Sequence, residues 1–213
     1  MKRKSYRRFF TKEIGNSYPN KSDFLIAETD KNFNHISKDT KFALRSANPI
    51  DRRLDFSAYF LALVKTLDAQ GENFESIREI CLRIVIEYVR PKNKMELFLK
   101  RIPAKLINTW LANLFLKAFN KRINNKANPD GFVAKIITGK GEAIDFDFGF
   151  DILECGICKL FKKHNYEKYA SILCEVDEVT SGLAGLELTR TGTIALGAKK
   201  CDFRFKKEIP IKR

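Results

Sequence analysis

Between residues 54 and 124 the apolar positions recur at helical spacing. Leu54, Tyr59, Leu61, Leu63, Val64 and Leu67 mark one helix that stops at Gln70-Gly71. A second carries Ile77, Ile80, Cys81, Ile84, Val85 and Tyr88 on one broad face and ends before Pro91, which disfavours helix in the residue preceding it. Pro103 then predicts the start of a third, from Ala104 to about Asn124, with Leu106, Ile107, Trp110, Leu111, Leu114, Phe115 and Phe119 as its apolar side. Residues 1–50 contrast with this: they are polar, rich in Asn, Lys and Ser, with scattered aromatics, and read as a basic arm with short helices.

Beyond residue 130 the period changes to two. Residues 132–138 and 143–150 flank Gly139-Lys140-Gly141-Glu142 and predict a β-hairpin. Helical segments over 151–163 and 167–181 follow, joined by His164-Asn165-Tyr166. A last strand pair, 186–196 and 201–206, closes around residues 197–200. The fold class is therefore α+β: N-terminal helices packed with a small antiparallel sheet of two hairpins and an intervening helical pair. Residues 51–213 suffice for one such domain.

Positions equidistant from Tyr166, at the end of the 164–166 turn, lie at the same height in an antiparallel helical hairpin. Cys158 then opposes Cys174, and Cys155 opposes Asp177. In the last strand pair a four-residue loop sets Leu196 opposite Cys201 and Ile194 opposite Phe203. Arg190 falls on that apolar face, and Thr189, Thr191, Thr193, Asp202, Arg204 and Lys206 on the other. A buried guanidinium needs an anion or carbonyl, so Arg190 either pairs with Asp177 or waits for a substrate carboxylate. Thiols are nucleophiles and metal ligands, which makes Cys158, Cys174 and Cys201, with Asp177, the candidate chemistry. Cys81 and Cys155 read as packing residues, and His35 and His164 as solvated.

Charge and cysteine count narrow the class. A net charge of +14 raises nucleic acid or anionic surfaces as partners, but the basic residues sit at the two ends and along helical faces, with no zinc-finger, RNP-like or helix-turn-helix signature. Nucleic acid is disfavoured; weak contact of the basic ends with an anionic surface stays open. No apolar run is long enough to span a bilayer, and after the basic start Lys2 to Phe10 the polar stretch Thr11 to Lys21 stands where an export signal needs an apolar segment. Five cysteines, an odd number in a chain of 213 residues, favour reduced thiols and a cytoplasmic setting.

Within residues 143–206 one succession is distinctive: Phe146-Asp147-Phe148, Cys158, Cys174-Glu175-Val176-Asp177, then Leu188-Thr189-Arg190-Thr191-Gly192-Thr193-Ile194-Ala195-Leu196-Gly197 and Cys201-Asp202-Phe203-Arg204-Phe205. It resembles the L-2-amino-thiazoline-4-carboxylic acid hydrolase family. The resemblance covers about the last 65 residues and carries no role onto Cys155 or the basic arm. The strand pair ending in Gly-x-x-x-Cys also resembles the vinyl-reductase type of ligand-binding domain.

The resemblance implies hydrolysis of a carbon–nitrogen type bond in a cyclic amidine. Water adds at the C=N carbon of L-2-aminothiazoline-4-carboxylate and the ring C–S bond breaks, giving N-carbamoyl-L-cysteine, a step in cysteine metabolism. It implies Arg190, with Thr191 and Thr193, for substrate binding and Asp177 as general base or proton shuttle; Thr191, Thr193 and Asp202 alternatively order the strand pair. Cys158, Cys174 or Cys201 would be the nucleophile or the ligands of a zinc ion. Two rival classes use the same residues differently: a non-catalytic module binding a small molecule, tetrapyrrole or metal, and a thiol redox protein using Cys155 and Cys158.

Overall fold

A computed structural model describes residues 3–106, 109–123, 128–138 and 145–207. Its centre is helix α3 (Arg53–Ala69), buried on nearly every side because Leu54, Ala58, Phe60, Leu61, Leu63, Val64 and Leu67 leave it no polar face. Against it pack α1 (Arg3–Ser17), α2 (Ser22–Ile36) and α4 (Phe74–Val89). Residues 3–36 are thus built into the core, where the sequence suggested an arm with short helices. Tyr6, Phe10 and Ile14, four apart, form the buried stripe of α1, and Phe10 meets Tyr59 edge-to-face at 4.8 Å. The Lys and Asn content hid that stripe.

The third predicted helix is two. Helix α5 (Lys94–Leu106) begins where Asn93 accepts from the Glu96 backbone N–H at 2.8 Å and Glu96 accepts from the Lys92 N–H at 2.6 Å. This N-cap outweighs Pro103, which lies inside α5 rather than opening a helix. Thr109 closes α5 by donating through N and Oγ1 to the Leu106 carbonyl, and α6 (Trp110–Ile123) follows. Trp110 and Leu114, expected on a packed side, are exposed.

Strands β1 (Val133–Thr138), β2 (Phe148–Glu154), β3 (Leu186–Thr189) and β4 (Cys201–Lys207) form one antiparallel sheet in the order β1-β2-β4-β3. The predicted turn at 139–142 lies outside the described residues. Strand β2 runs on to Glu154, so helix α7 (Gly156–Lys163) is eight residues long and starts five residues later than the pattern suggested. Asp151 explains the difference: it is buried in the sheet, bonded to Arg204 at 2.9 Å and Lys200 at 2.6 Å, a polar strand position whose partners are remote in sequence. Helix α8 (Ala170–Leu183) follows, preceded by a 3-10 turn, Glu167–Tyr169. His164, expected solvated, has a buried side chain with Nε2 3.0 Å from Asp39 Oδ2.

The last strand pair also departs from its expected register. Leu188 pairs with Phe205 and Thr189 with Arg204, and residues 190–200 form a loop containing the 3-10 turn Ile194–Leu196. Asp202 ends the strand early by accepting from Thr191 N (3.0 Å), Gly192 N (3.0 Å) and Thr191 Oγ1 (2.5 Å). The shift is even, so the predicted apolar face survives: Cys201, Phe203 and Phe205 are buried and face Ile152, Phe150 and Phe148 across β2. Phe150 and Phe203 stack at 4.7 Å, Phe148 and Phe205 at 4.9 Å. Among the described residues no helix is long and apolar enough to cross a membrane.

Candidate active site

Between this sheet face and helices α3, α6, α7 and α8 lies a cavity of about 190 Å³. Phe119, Phe132, Phe150 and Phe203 supply aromatic walls, with aliphatic side chains between them. Its polar lining is small: Cys155, Cys158, Cys174 and Cys201, Asp177, and Arg53 from the start of α3. The thiols and carboxylate that spacing brought together from α7 and α8 do share one cavity. An apolar hollow with a few converging reactive groups is the usual form of a small-ligand site.

Each group reaches it by a local rule. Cys155 is the N-cap of α7, where unpaired backbone N–H groups converge, and its half-buried sulfur feels the N–H groups of Cys158 and Ile157 without closing a cap hydrogen bond. The Cys158 thiol donates to it. That hydrogen bond comes first, and with the backbone donors it outweighs burial, lowering the Cys155 thiol to about 7. The same pairing, with burial, pushes Cys158 upward, so of the two thiols Cys155 is the one favoured as thiolate. Gly156 makes the tight entry possible, since a Cβ there would lie 3.2 Å from the Asp130 carbonyl oxygen and the Gly131 backbone. Burial, then the nearby Asp177, pushes Cys174 up to about 12. Cys201 is raised by burial although its sulfur accepts from the Ile194 N–H at 3.2 Å.

Asp177 is raised by burial, against the opposing pull of Arg53 and Arg190. Arg190 donates to Asp177 Oδ2 at 2.8 Å and to the Cys174 carbonyl at 3.3 Å, and its guanidinium lies 5.3 Å from the Phe203 ring centre. Of the two partners the sequence left open for it, the internal carboxylate is the one present. Arg190 does not line the cavity. Nor do the other two candidate substrate contacts: Thr191 is bound to Asp202, and Thr193 is buried with an Oγ1 that has no partner among the described residues.

Arg53 was not singled out by the sequence, yet it is the exposed cation on the cavity's open side. Among the described residues no carboxylate forms a close ion pair with it. Asp51 anchors the backbone here: it accepts from Phe132 N at 2.9 Å and Ser46 Oγ at 2.5 Å, and a Cβ on Gly131 would sit 2.8 Å from its Oδ1. One signal was available. A cation in the first turn of a helix opposes the macrodipole, and a chain that keeps one there has a reason outside helix stability.

The zinc alternative fares worse. Among the described residues no three His, Cys, Asp or Glu side chains are grouped to hold a metal ion. Cys158 is paired with Cys155, and the Cys201 sulfur accepts from the Ile194 N–H.

A model of the L-2-amino-thiazoline-4-carboxylic acid hydrolase family matches residues 52–205, which spans α3 to β4 and every group lining this cavity except Ile50. The chain belongs to that family. The match extends the resemblance seen in the last 65 residues back to the start of α3, and so takes in Arg53. No curated protein and no solved structure matches this family member.

Proposed function

We propose that this L-2-amino-thiazoline-4-carboxylic acid hydrolase family member opens a small cyclic amidine that carries a carboxylate, converting L-2-aminothiazoline-4-carboxylate to N-carbamoyl-L-cysteine. The observation that carries the reading is the Cys155 thiol at the N-terminus of α7, its pKa lowered there, in an apolar cavity shared with Asp177 and an exposed Arg53. The Cys155 thiolate attacks the C=N carbon, and the ring C–S bond breaks. Asp177, its carboxyl raised by burial, delivers the proton that the leaving ring sulfur takes up. The resulting isothiourea joins Cys155 sulfur to the opened substrate. Asp177, now ionised, takes a proton from water as its oxygen adds to the same carbon, and passes it to the adjacent nitrogen. Collapse to the urea carbonyl expels the Cys155 thiolate and returns the hydroxyl proton to Asp177, so both groups are restored.

In this reading Arg53 anchors the substrate carboxylate, because Arg190 is already spent on Asp177 and acts by positioning it. Cys158 holds Cys155 as a thiolate rather than attacking itself. The test is mass spectrometry of the product, with and without the Cys155→Ala change. N-carbamoyl-L-cysteine from the wild type and none from the variant supports the mechanism, and turnover by the variant at the wild-type rate refutes it. The Cys155-Gly156-Ile157-Cys158 pairing at a helix N-terminus also favours a second reading as a thiol redox protein. That role requires Cys155 and Cys158 but leaves activity intact in Arg53→Ala.

A further inference from the structure

Helix α5 turns its broader apolar face away from the protein. Ala104 is buried, and the Arg101 stem passes the α8–β3 turn at Gly185, so this side faces inward. On the other side Met95, Phe98, Leu99 and Leu106 fall at i, i+3, i+4 and i+11 and are all exposed, Phe98 at 51% and Leu99 at 55%. The stripe continues on α6 through Trp110, 69% exposed, and Leu114. Six large apolar side chains exposed within twenty residues are far more than scattered surface positions, and mark a surface that something covers.

Charge identifies what covers it. Residues 92–122 hold eight basic side chains (Lys92, Lys94, Lys100, Arg101, Lys105, Lys117, Lys121 and Arg122) against the single acid Glu96. Apart from Lys100, which donates to the Val89 carbonyl, the other seven are exposed. A second copy of the same face would bring like charges together, so self-association is disfavoured. An apolar stripe with a tryptophan on it, flanked by cations, is what an interfacial helix presents to anionic headgroups, and a lipid surface accepts such side chains without a shaped groove. The basic N-terminus, suggested by the sequence for this contact, is differently placed: Arg7 pairs with Asp30, and Arg8 lies over the Phe9 ring.

We infer that the α5–α6 pair docks the protein on an anionic lipid surface, with Phe98, Leu99, Trp110 and Leu114 entering the headgroup region and Lys94, Lys105, Lys117 and Lys121 pairing with its phosphates. The docking helices belong to the site region as well, since Phe119 and Ile123 of α6 line the cavity. The inference is independent of the reaction proposed above.

The chain carries its own reporter, because Trp110 is its only tryptophan. The full-length protein is titrated with vesicles of phosphatidylcholine alone and of an equimolar phosphatidylcholine–phosphatidylglycerol mixture, reading tryptophan emission and co-sedimentation. A blue shift and pelleting with the anionic vesicles alone are expected. Both Phe98→Ser/Leu99→Ser and Lys117→Glu/Lys121→Glu should weaken partitioning by about tenfold or more, with far-UV circular dichroism unchanged because these side chains are exposed. No shift and no pelleting with anionic vesicles overturns the inference. So does unchanged binding in the two double variants, which would assign the lipid contact to the basic ends. A vesicle-inert protein that forms a concentration-dependent dimer lost in Phe98→Ser/Leu99→Ser overturns it in favour of a second copy, and one captured only by an acidic protein overturns it in favour of a protein partner.

Discussion

Replacing Cys158 by Ala removes the largest influence that keeps the Cys155 thiol ionised. A hydrogen bond to a charged acceptor contributes about 1.5–3 kcal/mol, and a thiol is a weak donor, so the lower end applies. At 1.36 kcal/mol per pKa unit this is a rise of about one unit. Cys155 should then titrate about one unit above its wild-type value of about 7, still below an ordinary thiol because the α7 backbone donors remain. At pH 7 the thiolate fraction falls from about one half to about one tenth, and alkylation of Cys155 slows about fivefold. Cys158→Ser keeps a donor at the same place and should restore most of the reactivity. The assay is the pH dependence of iodoacetamide labelling of the peptide containing Cys155, read by mass spectrometry. It distinguishes Cys155 from Cys174 and Cys201, which burial holds in the thiol form. A wild-type midpoint near 9, or a midpoint unmoved in Cys158→Ala, would refute the reasoning that α7 and Cys158 make Cys155 the thiolate.

Other perturbations report on separate parts of the molecule. Arg53→Ala should raise KM for the carboxylate-bearing substrate about tenfold or more with kcat little changed, and leave an analogue lacking the carboxylate unaffected; equal losses with both would remove Arg53 from substrate binding. Asp177→Asn should lower kcat by at least about a hundredfold with the fold intact, whereas Arg190→Lys should shift the acidic limb of the pH profile through Asp177. Asp151→Ala leaves the buried Arg204 without this carboxylate partner and should cost about 3–5 kcal/mol in urea unfolding. Burial works against the Asp151 charge, but hydrogen bonds from Lys200 and Arg204 hold its carboxyl below the ordinary value. Its contribution is therefore present above the unfolded pKa of about 4 and lost as pH falls below it, so the wild type should lose more stability than the variant on acidification from pH 5. Gly149→Ala should destabilise strongly, because a Cβ there would come 2.4 Å from the Phe203 carbonyl oxygen in the neighbouring strand.

Helices α3 and α4 and the inward face of β4 were legible in the chain itself, because Leu61, Ile80 or Phe203 lies at a period set by 3.6 or two residues per turn and needs no remote partner to explain it. The gathering of Cys158, Cys174 and Asp177 was legible for the same reason: residues three apart share a helix face, and a short connection brings the faces together. Cys155 was not, since its chemistry comes from standing at the N-cap of α7 rather than within a longer helix, and that boundary depends on β2 continuing to Glu154. The extra strand length depends in turn on Asp151 finding Arg204, 53 residues away. Arg190 could be read as needing an anion, while only the packing of the 190–200 loop on α8 decided that Asp177 supplies it and left Arg53 open to the cavity. Periodicity encodes which side of an element is apolar. The ionic partners, the helix ends that perturb a thiol and the cation that stays unpaired are set by contacts between segments distant in sequence, and those existed only once the chain had folded.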